Sequence, residues 1–453
     1  MFKEEIQSNR NLFKWIFANL LLWAVCWGYI DMTILASKNT RLKAPFNLTL
    51  FDFVKSSNYS AIGCGPDKFF CGSIWIKLLF FVGFALSQFS IGFLADIFGP
   101  FKILKKVLPI IMIASFSATL LTNIYLFFVA WFFLAFTCTS TFVLLISQIL
   151  EQLDTKAQNW KWRLSMGCIF QMSWIFGRFL SHFLTYIYDD LVSVMSLLTL
   201  ILMSIVLMLK KEIWSKEFTG RQKYPDSFKA FRKSGKQTSM NMVVLSMTFF
   251  ALGYNYYGNM NDFERNVSDS VKLAQHNFLQ TLLQLVAQIM TILICLAVRR
   301  KCLPLALIQF MLSLTYVTLF SFHPQINNDK EATTLLTTDN VTWIFTHLSI
   351  YLTTASFDLI WIVAPETFPK EFRNTCMGIC SGATRLGAIT GILLSELQVL
   401  NESYVLLTAG CFMLVSAYLI LLLPDMTKYN LPNTPEDVMK VQFPDKKSNS
   451  SPV

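Results

Sequence analysis

Long runs of apolar side chains, broken by short polar stretches, recur along the whole chain at about 12–36, 74–95, 104–122, 125–149, 163–187, 191–209, 239–260, 273–298, 303–322, 341–364, 375–397 and 403–423. Each run is near the roughly 20 residues an α-helix needs to cross about 30 Å of hydrocarbon. The strands of a membrane barrel would show instead a ~10-residue alternation of inward and outward side chains, a pattern the sequence lacks. The pattern therefore predicts an all-α membrane protein with twelve transmembrane helices. The break at 210–238 carries nine Lys or Arg together with Pro225 and Gly235, and it divides the runs six and six. The predicted organisation is a cytoplasmic N-terminus (1–11), an N-terminal six-helix bundle (12–209) with an extracellular loop (37–73), a cytoplasmic linker (210–238), a C-terminal six-helix bundle (239–423) and a cytoplasmic tail (424–453).

Composition agrees with lipid as the solvent: 54% of the 453 residues are hydrophobic, 15% are charged, and Phe occurs 42 times. A soluble chain of this length needs more charge to cover its surface. The net charge of +10 does not indicate nucleic acid, because the basic residues fall in short loops rather than on one face. With the N-terminus inside, 27 Lys and Arg fall on cytoplasmic segments and 8 on outer ones, as the positive-inside rule requires. The first apolar run follows Lys3, Arg10 and Lys14 without a small-residue cleavage site, so it reads as a signal-anchor span. Five glycosylation sequons, at Asn47, Asn58, Asn266, Asn340 and Asn401, land on outer loops or their edges, and Asn449 alone falls inside. Of ten Cys, Cys64 and Cys71 lie in the outer loop, where oxidation is possible, and are expected to pair; the other eight read as small buried hydrophobes.

Two six-helix halves joined by a basic linker resemble the layout of the major facilitator superfamily, whose halves are pseudo-symmetric bundles with the solute site between them at mid-membrane. Gly92-Phe93-Leu94-Ala95-Asp96-Ile97-Phe98-Gly99 resembles that superfamily's loop signature after the second span. Asp96 there can cap or salt-bridge neighbouring helix ends, and Gly92 and Gly99 allow close approach and a tight turn. Three further stretches are similar to the organic cation/anion/carnitine transporter branch. They are Tyr256-Tyr257-Gly258, the segment from Glu366 to Arg373 between the tenth and eleventh spans, and Leu423-Pro424-Asp425-Met426-Thr427 followed by Leu431-Pro432-Asn433-Thr434-Pro435-Glu436-Asp437. The chain departs from the pattern where Pro100-Phe101 follow Gly99, where Arg299-Arg300-Lys301 lack a preceding Asp, at Gln148, and at Lys210-Lys211-Glu212-Ile213-Trp214. The resemblance implies alternating access, with Asp96, Gly92, Gly99, Glu366 and Arg373 serving the cytoplasmic gates.

Charge at the centre of a bilayer costs about 2.5–3.5 kcal/mol on insertion scales, so central ionisable residues usually face a pathway. Arg178 lies within the fifth span, one turn before His182, and Arg385 lies near the middle of the eleventh. An Arg can fork two hydrogen bonds onto a carboxylate or sulfate. By the resemblance, Arg385 stands where anion- and carnitine-type relatives carry Arg and cation-type relatives carry Asp. The alternative is a structural Arg385 paired with Asp358 or with backbone carbonyls. Asp358 itself is a candidate gating residue, as a proton or cation partner or in a salt bridge. Gln280, Gln284 and Gln288 recur at every fourth residue and share one helix face, which would line water, a solute or a partner helix rather than lipid. Trp23, Trp27, Trp174, Phe176, Tyr254, Tyr257 and Trp361 are candidate pocket walls, with Tyr257 placed at the cavity by the resemblance.

The four His are scattered, so neither a metal cluster nor a catalytic dyad is indicated. The chain carries no phosphate-binding Gly-rich loop, which argues against ATP. The reading is a non-enzymatic carrier of a small organic anion or zwitterion, without cofactor or metal. It is expected to be a monomer in the plasma membrane with both termini cytoplasmic. An organic cation carrier, and a transport-dead relative acting as receptor or trafficking partner, are the alternatives.

Overall fold

A computed structural model of the chain describes residues 24, 72–120, 126, 128–138, 143–144, 164, 167, 171–180, 236–265, 270–298, 300–322, 338–396, 402–429 and 431–442. The elements are α1 (Gly72–Phe98), α2 (Pro100–Leu120), α3 (Phe128–Cys138), α4 (171–180), α5 (Lys236–Arg265), α6 (Ser270–Val298), α7 (Cys302–Phe322), α8 (Thr338–Thr367), α9 (Arg373–Glu396), α10 (Glu402–Ile420) and α11 (Pro435–Gln442). Among the described residues, six helices (α1 and α6 to α10) are long and apolar enough to cross a membrane. The predicted first and sixth spans, the 37–73 loop up to residue 71, the linker 210–235 and the far end of the tail lie outside the described residues, apart from Ala24, while Gly72 and Ser73 of that loop open α1.

Helix ends follow local chemistry. Gly99 has φ +88, the left-handed conformation that stops a helix at low cost only for Gly, and its N–H closes onto Ala95 O at 2.9 Å. Pro100 then opens α2, where a missing N–H costs nothing. Between α8 and α9, Pro369 is held extended before a single 3₁₀ turn, Lys370–Phe372, so the chain reverses within a few residues.

The polarity of the helices is inverted relative to a water-soluble protein. On α6, Leu282, Val286, Ile289 and Leu293 point outward, while Gln280, Gln284 and Gln288 are buried. Outward apolar side chains also cover α7 and α10, at Leu303, Phe310, Leu314, Leu414 and Tyr418. Lipid is the solvent that makes such faces stable. The core lies around α9, which packs along α5 on one side and α1 on the other, while α8 packs on α6 and α7, and α10 on α7 and α5. Among the described residues, the α1–α9 contact is the main junction between the part of the chain before residue 210 and the part after it.

Candidate functional site

Two buried arginines mark the centre of the molecule. Arg385 of α9 donates from Nη1 to Tyr257 Oη at 2.7 Å, and its guanidinium carbon lies 3.7 Å from the ring centroid of Phe84 on α1. Arg178 of α4 donates from Nη1 to Tyr256 Oη at 2.9 Å, and Gln284 Nε2 reaches the same oxygen at 3.4 Å. The two tyrosines are consecutive on α5 with rings 4.8 Å apart at 82°, so one turn of one helix orients both guanidiniums. A phenol oxygen accepts a hydrogen bond without a formal charge, and here it fixes the plane of each cation. The face of Phe84 adds an attraction of about 2 kcal/mol for a desolvated guanidinium.

An aromatic shell closes around this pair. Phe81 stands 4.8 Å from Tyr257, Trp174 5.4 Å from Tyr256, and Phe357 of α8 touches both Tyr256 and Trp174. Residues from α1 and α4, before the linker, thus meet residues from α5, α6, α8 and α9, after it. Neither carboxylate oxygen of Asp358 accepts a hydrogen bond from a described residue, so the Arg385–Asp358 pair considered from sequence is not formed. Trp361 packs on Phe249, 5.0 Å away, and Gln280 is buried on α6. Tyr254 turns away from the arginines. Its hydroxyl shares a hydrogen bond with Thr408 at 2.8 Å and its ring abuts Phe412 of α10. Phe176 faces outward.

A second cluster lies at the end of the bundle where α1 and α8 finish, termed here the basal end. Asp96 Oδ1 accepts from Asn374 Nδ2 at 2.7 Å and Asn374 N at 3.3 Å. Its Oδ2 accepts from Thr375 Oγ1 at 2.6 Å and Thr375 N at 2.7 Å. These residues lie in the first turn of α9, so Asp96 caps a helix from the part of the chain after residue 210, satisfying two of its orphan N–H groups and meeting its positive dipole end. Gly92 makes this approach possible. A β-carbon there would strike the carbonyl oxygen of Asn374, and one on Gly378 would strike that of Gln88.

Beside this latch, Lys301 Nζ bridges both oxygens of Glu366 at 2.6 and 2.8 Å, with both side chains buried. Lys301 N also donates to Asp425 Oδ2 at 3.1 Å. Arg373 Nε donates to Phe368 O at 3.2 Å and Nη2 to Pro432 O at 3.5 Å, and Lys370 N donates to Pro432 O at 3.1 Å. The segment after α10 is therefore tied to the loops before α7 and α9. The N–H of Thr434 donates to Asp437 Oδ2 and Pro435 opens α11, whose Val438 is fully buried.

Phe81, Phe84, Phe357, Asn374 and Thr375 are participants that sequence reasoning did not single out, and Tyr256, Lys301 and Asp425 entered it only inside motifs. Tyr256 was within reach as the neighbour of Tyr257, and Lys301 as a base beside the acidic Glu366 segment; Phe84 carries no mark among so many phenylalanines. Cys64, Cys71, Asn47, Asn58, Asn266 and Asn401 lie outside the described residues, as do Trp23, Trp27 and His182, and Asn340 lies in the first turn of α8.

No family model matches the chain. It is 36% identical over 85 residues to solute carrier family 22 member 12 of Mus musculus, covering 19% of this chain and 15% of that protein. It is 33% identical over 89 residues to solute carrier family 22 member 3 of Rattus norvegicus, covering 19% and 16%. The chain thus spans less than a quarter of the length of the curated relatives it matches. The fold extends much further. The proton:xylose symporter XylE, a major facilitator superfamily protein, superposes with a TM-score of 0.66 at 14% identity over 95% of this chain and 99% of that one. A bacterial homologue of the iron transporter ferroportin in an outward-facing state does so with a TM-score of 0.63 at 10% identity, over 90% and 98%. The chain has the major facilitator fold of a multi-pass membrane protein, and where its sequence aligns it resembles solute carrier family 22.

Proposed function

We propose that the chain is a transporter that moves small organic ions across a membrane by alternating access, secondary-active or facilitative, with an organic anion or zwitterion as its solute. The observation that carries this is the pair of buried guanidiniums, Arg178 and Arg385, each oriented by a tyrosine hydroxyl where the two halves of the fold meet. Such a site forks onto a carboxylate or sulfate; an organic cation would meet two like charges there. Phe81, Phe84, Trp174 and Phe357 supply the apolar walls for the rest of the solute. Asp96, Glu366 and Arg373 close the basal end, which on this reading faces the cytoplasm, and Gly92 and Gly99 let the closing helices meet. The protein works as a monomer in the plasma membrane with both termini cytoplasmic, without ATP and without nucleic acid.

The test is uptake of labelled benzoate, carnitine and tetraethylammonium in cells lacking endogenous carriers. Benzoate or carnitine accumulates in wild type, and Arg385→Ala abolishes accumulation at unchanged surface delivery. Uptake of tetraethylammonium alone contradicts the anion assignment. A correctly delivered protein that moves none of the three contradicts the carrier reading and favours a receptor.

A further inference from the structure

We propose that Asp358 is a proton-carrying site, so that each solute anion crosses together with a proton; this rests on the carrier reading above. Asp358 belongs to α8, is 1% exposed, and neither of its carboxylate oxygens accepts a hydrogen bond from a described residue. Its neighbours on the helix fix its height. Phe357 touches Tyr256 and Trp174, and Trp361 touches Phe249. Asp358 therefore sits level with the tyrosines that hold Arg178 and Arg385, within an apolar helix, rather than at either end.

An ionised carboxylate buried without donors is strongly disfavoured, so its charge must be met by something that arrives there. A hard metal cation needs several converging oxygens, and among the described residues no group of three or more His, Cys, Asp or Glu could hold a metal ion. A proton needs no such shell. The buried titratable groups on the packed elements are Cys295 of α6, Tyr254, Tyr256 and Tyr257 of α5, Arg178 of α4, Cys302 and Tyr316 of α7, and Arg373, Cys376, Cys380 and Arg385 of α9, with His347 on α8 itself. At the basal end of α8 itself stand Glu366 and its partner Lys301. None of these lies within hydrogen-bond reach of the Asp358 carboxylate.

The step balances without a redox partner. Water on the entry side gives a proton to an Asp358 oxygen, forming an O–H bond. On the exit side that bond breaks and water takes the proton. An ionised Asp358 competes with the solute for the field of the two guanidiniums; a protonated one leaves that field to the solute. Anion and proton therefore favour each other's binding, and the coupling is reciprocal. The pair crosses with no net charge.

The first test is infrared spectroscopy of the purified full-length protein in lipid, following the carbonyl stretch of protonated carboxylic acids as pH is varied. Wild type is expected to show a band of a buried acid that Asp358→Asn lacks and Asp358→Glu retains at a shifted position. Identical wild-type and Asp358→Asn spectra overturn the proposal. The second test is labelled benzenesulfonate, which stays ionised and so does not cross lipid unaided, in proteoliposomes with the membrane potential clamped. An inward gradient of one pH unit drives about tenfold accumulation if one proton accompanies each anion. Asp358→Asn keeps benzenesulfonate-for-benzenesulfonate exchange and loses the accumulation; accumulation equal to wild type overturns the proposal. A protein that shows the Asp358 band but neither takes up nor exchanges benzenesulfonate contradicts the carrier reading and leaves the proton site standing.

Discussion

Arg385 donates to Tyr257 and lies over Phe84, so its plane is set before a solute arrives, and ordering it costs the encounter little. A hydrogen bond to a charged group contributes about 1.5–3 kcal/mol. Tyr257→Phe is therefore expected to raise the KM for benzoate by about tenfold to a hundredfold with a smaller change in maximal rate, read by uptake kinetics. An unchanged KM would mean that the hydroxyl does not position Arg385. The two arginines were legible in the sequence because a charge inside an apolar run stands out against its cost. The resemblance set Tyr257 apart from Tyr254, but the residue pattern alone did not, since both fall in the same short stretch of α5. The helix has neighbours on two sides, and only packing decides that Tyr254 serves α10 while Tyr257 serves Arg385.

At the scale of the element, α1 and α9 form a junction that can separate. Its holding force is one carboxylate capping two consecutive residues at a helix start and one close backbone contact at Gly92. Loss of a cap costs about 0.5–2 kcal/mol, enough to shift a two-state equilibrium by roughly twofold to thirtyfold. Asp96→Ala should increase alkylation of a cysteine placed at Asn374 from the basal side, and Gly92→Leu should do so more strongly. Protection equal to the parent in both variants would show that this junction is not a gate. The Gly-x-x-x-Asp spacing made the latch legible as a helix-end contact, but not its partner, because the residues it caps lie some 278 positions later in the chain. Helix existence was read better than helix extent. The apolar run at 239–260 lies within a helix that continues from Lys236 to Arg265, since a helix persists into the polar interface beyond the hydrocarbon.

Across the whole molecule, the basal end is a connected belt rather than a set of loops. Lys301 holds Glu366 and Asp425, and Pro432 accepts from Lys370 and Arg373. The segment after α10 read from sequence as a trailing tail, because its prolines and polar residues give no hint that Leu431 and Val438 are buried. Breaking a buried ion pair by removing one partner costs about 3–5 kcal/mol, whereas replacing both partners with apolar residues is often neutral. Lys301→Ala should lower the thermal unfolding temperature clearly, and the double variant Lys301→Met/Glu366→Leu should recover most of the loss. A double variant as unstable as the single one would show that the pair acts through other contacts.

The central claim is that the two tyrosine-held guanidiniums bind the negative group of a solute that the protein then carries. Counterflow in proteoliposomes tests this most directly, with unlabelled benzenesulfonate inside, labelled benzenesulfonate outside, and tetraethylammonium as the cationic control, since both ions stay charged and do not cross lipid unaided. The account predicts transient accumulation of label in wild type, none in Arg385→Ala or the Arg178→Ala/Arg385→Ala double variant reconstituted to equal density, and none of tetraethylammonium. Accumulation that survives loss of both arginines, or of tetraethylammonium in place of benzenesulfonate, would contradict it.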